Sequence, residues 1–248
     1  PPRLDSSAAS DVYKRQYDKS GTRLMHLQKA VLPHERFVRC VGLGPQLRAV
    51  DYDPGAPLHD RYKPGVDFLD AESESLLHDM TLTINSFFGW DFNSCEALLQ
   101  DGHWYPIDFA NACPDSQVSS LHYHFPWLVM ANVRWSLFCA ATNKTMRKTQ
   151  DWEPYFEIAD SDRTDREKLS AYADIAHERF ETERFQTFCD EHLGHLDEIA
   201  WEFFGSDIAR QAVQEKVKAL YPAHELEEFT ELFWKRIQRW RSEQESAS

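Results

Sequence analysis

Basic charge, paired cysteines and long apolar runs are all scarce in this chain of 248 residues. Its 27 Lys and Arg residues stand against 41 Asp and Glu residues, which gives a formal net charge of −14. A nucleic-acid backbone needs clustered Lys and Arg, so this balance argues against nucleic acid as a partner. A small anionic ligand is still compatible with it, because a few local arginines or a bound cation can reverse the sign of one pocket.

The five cysteines form no Cys-x-x-Cys pair and no zinc-type spacing with histidine. We therefore expect free, buried thiols in a reducing compartment. The most apolar stretch, Phe125 to Ala141, is interrupted by Asn132 and Arg134 and is too short to span a membrane. With 42% hydrophobic residues the chain can still bury a substantial core, so we expect a globular cytoplasmic protein without a membrane partner.

The N-terminal residues 1–20 mix Pro, Ser, Asp and Lys without periodicity, which predicts a disordered lead. Within them, Ser6 to Gln16 (SSAASDVYKRQ) resembles translated sequencing-adaptor sequence. That resemblance predicts an N-terminal truncation, with a natural protein that begins further upstream.

Residues 21–150 combine short β-rich runs with turn signals, and Ala71 to Met80 has helical spacing. The expected strands are Arg36–Leu43, Leu47–Tyr52, Leu82–Phe88, Ser94–Gln100 and Trp104–Phe109. The last two are joined by Asp101-Gly102, a strong hairpin signal. This pattern predicts an α+β region.

After Pro126 the apolar spacing becomes helical. The predicted helices are Trp127–Thr142, Arg166–Leu193, Leu196–Phe204, Ile208–Leu220 and Ala223–Arg241. Residues 151–165 are predicted to be a linker, and residues 166–248 an all-helical extension. The aromatic residues of this extension favour core packing or a homo-oligomer contact.

Chemistry-bearing residues gather around the hairpin. Glu96 lies five residues before Asp101 and Asp108 six residues after Gly102, so their carboxylates can converge on one face. Asn111 follows just beyond. Two carboxylates and an amide oxygen are suitable ligands for a Mg²⁺ ion that also binds water and phosphate. The alternative is that Glu96 and Asp108 are ordinary exposed strand residues and Asn111 a turn former.

The same stretch resembles the metal-binding end of ATP-grasp enzymes, a superfamily that includes D-alanine–D-alanine ligase, glutathione synthetase and ribosomal-protein glutamate ligases. The resemblance rests on three segments: Gly89-Trp90-Asp91-Phe92 through Cys95-Glu96, then Asp101-Gly102, then Ile107-Asp108-Phe109-Ala110-Asn111-Ala112-Cys113-Pro114. It implies the C-terminal part of an ATP-grasp fold, an antiparallel sheet with flanking helices, in which Glu96, Asp108 and Asn111 bind magnesium.

A second stretch, Leu24 to Glu35, resembles the hinge where this family holds adenine and ribose. Gln28 and Glu35 have the family's seven-residue spacing, with Lys29 and Val31 between them as backbone contacts to adenine. The resemblance implies that these four residues bind ATP.

Arg61 occupies the place where the family often carries a basic residue that touches the phosphates. We therefore take Arg61 as the candidate catalytic residue. The alternative is a surface arginine that pairs with Asp53 or Asp60.

The resemblance implies an ATP- and Mg-dependent ligase that activates a small-molecule or peptide carboxylate as an acylphosphate for capture by an amine. The family's glycine-rich phosphate loop should precede Gly21, where this chain has none, so we expect this chain alone to be inactive. The second acid, Asp108, is also one position out of register, and Ser94 stands where the family often has arginine. These departures favour the alternative, a non-catalytic nucleotide- or protein-binding module on a degenerate ATP-grasp scaffold.

Two further features admit two interpretations each. His122 and His124 alternate just after the predicted site, which suits either a substrate or proton-transfer role or structural hydrogen bonding. Cys113 could be mistaken for a nucleophile, but no paired base is visible in the sequence, so packing is the favoured role.

Overall fold

Four antiparallel strands form the sheet of this protein in a computed structural model that describes residues 29–111, 114–145 and 150–247. The strands are β1 (Arg36–Leu43), β2 (Gln46–Asp51), β3 (Phe92–Gln100) and β4 (His103–Asn111). Their order is β2-β1-β3-β4, with β4 at one edge. The prediction of an α+β protein is confirmed, and β1 has the predicted bounds.

The chain divides into two units, residues 1–32 and 33–248. Of the first unit the structure describes residues 29–32, which have no regular secondary structure. The predicted disordered lead lies outside the described residues. All elements below belong to the second unit.

Helix α1 (Ala71–Phe88) corrects one prediction, because the segment Leu82–Phe88 is helical and not a strand. The β-branched residues of this segment favour a strand only weakly, and tertiary packing overrides that preference. The helix begins where the Asp70 carboxylate accepts a hydrogen bond from the Ser73 backbone N–H at 2.7 Å, and it ends at Gly89, whose φ is 72°. Its buried residues recur at helical spacing: Leu77, Thr81, Leu82, Asn85 and Ser86.

Both faces of the sheet are covered by helical residues, and α1 contributes to both buried clusters through Leu77 and Leu82. On one face, Val38, Cys40 and Ala97 form a buried cluster with Leu77 of α1. The opposite face contributes to a larger core that is closed by helices, through these buried residues: Val41, Leu43, Leu121, Leu128, Trp135, Phe138, Phe180 and Phe185. The sheet is therefore sandwiched between two layers of helix.

The remaining helices follow the sheet. They are α2 (Val118–Leu121), α3 (Phe125–Thr142), α4 (Glu153–Ala159), α5 (Asp165–Phe180), α6 (Thr182–His192), α7 (Leu196–Phe203), α8 (Asp207–Leu220) and α9 (Leu226–Ala247). Within the described residues, no helix is long and apolar enough to cross a membrane.

Two details of this helical part differ from the sequence pattern. The predicted helix from Arg166 to Leu193 is two helices, because Glu181 has a left-handed backbone with a φ of 54° and separates α5 from α6. The predicted linker, residues 151–165, contains α4. There the hydroxyl of buried Tyr155 donates a hydrogen bond to Ser86 Oγ of α1 at 2.7 Å.

The C-terminal helix α9 lies against the loop between β2 and α1 and against the 3-10 turn His122–His124. Arg236 forms an ion pair with Asp60, and the Tyr123 hydroxyl donates a hydrogen bond to the Glu243 carboxylate. Residues 166–247 thus belong to the same compact unit as the sheet. Of the predicted packing aromatics, Phe204, Phe233 and Trp240 are buried in the helical core.

Candidate functional site

The β3–β4 hairpin positions the predicted metal ligands. Its turn residues Asp101 and Gly102 both have positive φ, 51° and 74°, as a tight two-residue hairpin turn requires. Beyond the turn the strands pair in regular register until Glu96 lies opposite Ile107. Asp108 therefore follows directly after the cross-strand neighbour of Glu96.

A bulge interrupts the ladder at this point. The next pair is Ser94 with Asn111, so β3 has one residue between the two pairs while β4 has three. Asp108 begins the bulge with a φ of 38°, in the left-handed region that non-glycine residues rarely adopt. The side-chain amide of Asn93 donates a hydrogen bond to the Phe109 carbonyl at 3.0 Å and so supports the bulge. Backbone strain of this kind is concentrated at functional sites.

The carboxylates of Glu96 and Asp108 are close enough to influence each other. Burial raises the pKa of Glu96 above its ordinary value, and the negative charge of Asp108 raises it further. Glu96 is therefore harder to ionise than a free carboxyl group, and a bound cation would offset this cost.

Arg39 on the neighbouring strand β1 is the counter-charge to this pair. It lies opposite Glu96 in the β1–β3 register and lowers the Glu96 pKa. Its side chain is almost fully buried, and its guanidinium donates hydrogen bonds to the Tyr62 hydroxyl and, at 3.1 Å, to Ser94 Oγ. Burial in turn raises the pKa of Tyr62 to about 12, so the phenol stays protonated. Arg39 therefore favours the ionised form of Glu96.

Sequence reasoning missed Arg39 and Tyr62. The signal for Arg39 was a charged residue inside the apolar strand RFVRCVGL, where burial requires a partner. Its partners are 23 and 55 residues away in sequence, and no local pattern identifies them.

The predicted ligands suit a magnesium ion in their chemistry. Glu96 is half-buried and Asp108 is exposed, and both offer carboxylate oxygens, which Mg²⁺ prefers. The side chain of Asn111 lies outside the described residues, although its backbone pairs with Ser94. In the part of the chain that the structure describes, no three or more His, Cys, Asp or Glu side chains form a group that could hold a metal. A protein-only cage is therefore not available there, and the two acids would leave positions for water or phosphate oxygens.

The predicted nucleoside residues are only partly described. Gln28 lies outside the described residues, whereas Lys29 is exposed and Val31 half-buried, both in irregular backbone. In the second unit, the Glu35 carboxylate accepts a hydrogen bond from the Asp101 backbone N–H at 2.7 Å. Glu35 thus holds the turn of the hairpin. Its role toward a ribose stays a prediction, as do those of Lys29 and Val31.

Arg61 lies in the loop between β2 and α1. Its Nε donates to the Ala56 carbonyl at 3.2 Å, and its Nη1 donates to the Tyr52 hydroxyl at 3.5 Å. The charges that shift the Glu96 pKa are those of Arg39 and Asp108 and do not include Arg61. The structure therefore does not bring Arg61 to the acid pair, and its phosphate role stays a prediction.

The two histidines after the site are buried in a single 3-10 turn, His122–His124, instead of an extended segment. His124 makes a hydrogen bond through Nε2 with the Lys63 carbonyl at 2.9 Å, and His122 Nδ1 accepts one from the Tyr123 backbone N–H at 2.7 Å. Burial lowers the pKa of His122 to about 2 and that of His124 to about 4, so both are neutral at pH 7. These contacts fit the alternative interpretation, in which the two histidines make structural hydrogen bonds. Cys113 lies outside the described residues.

Comparisons of this chain with models of known protein families, with curated proteins and with solved structures find no match. The proposed function therefore depends on the residues of the chain itself.

Proposed function

We propose that this chain carries the magnesium-binding part of an ATP-grasp-type nucleotide site, and that the protein is an ATP-dependent carboxylate–amine ligase. The observation that best supports the proposal is the hairpin bulge, which brings Asp108 beside the half-buried Glu96 at a strained backbone position. Asn111 lies at the other end of the same bulge, so all three predicted ligands lie at a single interruption of the β3–β4 pairing.

Glu96, Asp108 and Asn111 would hold the metal, and Gln28, Lys29, Val31 and Glu35 the nucleoside. A magnesium ion in such a site neutralises charge on the transferred phosphoryl group. Arg39 favours the ionised form of the Glu96 carboxylate, because its charge lowers the Glu96 pKa. Arg61 would meet the phosphate after leaving its contacts with Ala56 and Tyr52.

The reaction class is phosphoryl transfer to a carboxylate, followed by attack of an amine on the acylphosphate. Positioning of the reactants accounts for most of the catalysis in such steps. The acceptor would be a small-molecule or peptide carboxylate, and the products would be ADP, phosphate and an amide.

A second candidate is a non-catalytic module that binds a nucleotide or a protein on the same scaffold. Arg39 favours this candidate, because a buried guanidinium beside Glu96 already supplies part of the positive charge that a metal would supply. Such an internal cation reduces the gain from binding a metal.

Calorimetric titration of the chain with ATP, with and without magnesium, tests the shared claim of a nucleotide site. We expect Mg-dependent ATP binding that Asp108→Ala weakens at least tenfold, whereas Asp67→Ala, at an exposed acid in the loop before α1, leaves it unchanged. Binding that is independent of magnesium, or equal in Asp108→Ala, would contradict both candidates. In a form of the protein that also carries a glycine-rich phosphate loop, carboxylate-stimulated ADP release supports the ligase, and tight MgATP binding without such release supports the module.

A further inference from the structure

A cavity of about 530 Å³ lies in the helical part of the fold, among α2, α3, α7, α8 and α9. Its floor consists of buried apolar side chains: Val118, Phe204, Ala209, Val213 and Ile237. Its rim is partly open, because Phe203 is 44% exposed and Ala212 is exposed beside it. Small-molecule sites in proteins span about 300–1,000 Å³. The cavity has the size and lining of a ligand site.

Lys216 is the single charged residue among those that line this cavity. It is half-buried, one helical turn after Ala212 on α8, and no ion pair or hydrogen bond joins its ammonium to another described residue. Ser116 and Gln117 add a hydroxyl and an amide to the lining. In a protein with a net charge of −14, an apolar cavity with a lone cation selects for an anionic group on an apolar body.

A second cavity also contains a cation, but that cation is already paired with an acid. The cavity of about 450 Å³ beside α6 also contains a cation, Arg134, but Asp190 and Asp197 line it as well. The Arg134 guanidinium is already paired with the Asp197 carboxylate at 2.6 Å. Its charge is therefore satisfied within the protein, unlike that of Lys216.

We propose that the cavity beside Lys216 binds a monocarboxylate with an aliphatic or aromatic body. The carboxylate pairs with the Lys216 ammonium at the rim, and the apolar body lies against Phe204, Val213 and Ile237. The proposal is independent of the nucleotide site, because none of the predicted metal or nucleoside residues lines this cavity.

Calorimetry on the full chain at pH 7, with octanoate as the anionic probe and 1-octanol as its neutral match, tests the proposal. We expect saturable binding of one octanoate per chain. Lys216→Met keeps the length and removes the charge, so it should weaken octanoate binding about three- to tenfold and leave octanol binding unchanged. Lys216→Arg should retain octanoate binding.

Two further variants complete the design. Ala212→Trp places a large side chain at the exposed rim and should abolish binding of both probes without unfolding the protein. Lys218→Met removes a lysine of the same helix that pairs with Glu215 at 2.6 Å and does not line the cavity, so it should behave like the wild type. Absence of octanoate binding by the wild type, equal affinity in Lys216→Met, or unaltered binding in Ala212→Trp would each overturn the proposal. Loss of MgATP binding would not bear on it.

Discussion

Replacement of Phe180 by alanine tests whether the C-terminal helices and the sheet form one cooperative unit. Phe180 ends α5, is fully buried, and lies edge-on to Trp135 of α3 with the ring centroids 6.0 Å apart. The Arg179 guanidinium also lies 4.5 Å from the centroid of the Phe180 ring. Phe180 thus belongs to the core that joins the sheet to five helices, α1, α2, α3, α5 and α6.

The expected cost follows from the loss of a fully buried phenyl ring. Phe→Ala substitutions in cores reduce the free energy of unfolding by about 3–5 kcal/mol, so we expect about 4 kcal/mol here. With a urea dependence of about 2.5 kcal/mol per molar, the unfolding midpoint should fall by about 1.6 M. Urea titration followed by both tryptophan fluorescence and far-UV circular dichroism measures this shift.

The matched control is Phe156→Ala on α4, whose side chain is 55% exposed, and its cost should be below about 1 kcal/mol. Both probes should report one coincident transition in every variant. Two separate transitions, of which Phe180→Ala shifts only one, would show that the helices and the sheet do not unfold as one cooperative unit. A shift as small as that of Phe156→Ala would refute the packing of α5 in this core.

Three further predictions concern the acid pair, the thiols and a helix cap. Burial raises the pKa of Glu96, against the opposing charge of Arg39 and with a smaller contribution from Asp108. The native state therefore loses stability relative to the unfolded chain as pH rises from the ordinary to the raised pKa. Thermal unfolding should show Glu96→Gln more stable than wild type at pH 7, with the gain lost near pH 4, and a destabilised variant at pH 7 would contradict this. Burial raises the pKa of Cys40 to about 12 and also raises that of Cys95, so both thiols stay protonated at pH 8. A thiol reagent at pH 8 should therefore label as many thiols in native Cys40→Ser and Cys95→Ser as in the native wild type. A lower number of labelled thiols in either variant would show that the replaced thiol was accessible. Thr164→Ala removes the capping box of α5 and should cost about 1 kcal/mol in urea unfolding, whereas Thr164→Ser should cost far less.

Local signals in the sequence predicted much of the sheet and most of the helices. The run Arg36–Leu43 is a strand with the predicted bounds, and Asp101-Gly102 forms the predicted hairpin turn. Both depend on short-range patterns, namely apolar runs between turn residues and a dipeptide that tolerates positive φ.

Two predictions of secondary structure are wrong, and local sequence signals do not reveal the reason for either. The segment Leu82–Phe88 is helical because its spacing continues that of the preceding turns and its buried side chains meet the sheet. The break between α5 and α6 falls at Glu181, where no glycine marks the left-handed residue. Tertiary contacts therefore determine both the helical segment Leu82–Phe88 and the break at Glu181.

Part of the candidate site could be predicted from the sequence, and part could not. The spacing of Glu96 and Asp108 around the turn predicted that their carboxylates could converge, and in the structure Asp108 directly follows Ile107, the cross-strand partner of Glu96. Their role as metal ligands stays a prediction. The bulge at Asp108 and the approach of Arg39 to Ser94 could not be predicted, because each depends on how separate strands align. Asp108 begins this bulge with a positive φ of 38°, which no local sequence signal predicts.

The proposed divalent-metal site is made by Glu96 and Asp108. Mn²⁺ is a paramagnetic substitute for Mg²⁺ at oxygen ligands, and electron paramagnetic resonance counts its free and bound forms. With ATP present, we predict one Mn²⁺ bound per chain, displaced by excess Mg²⁺, and at least tenfold weaker in Glu96→Gln and Asp108→Ala than in Asp67→Ala. Equal Mn²⁺ affinity in all of these variants, or no Mn²⁺ bound to the wild type with ATP, would contradict the account.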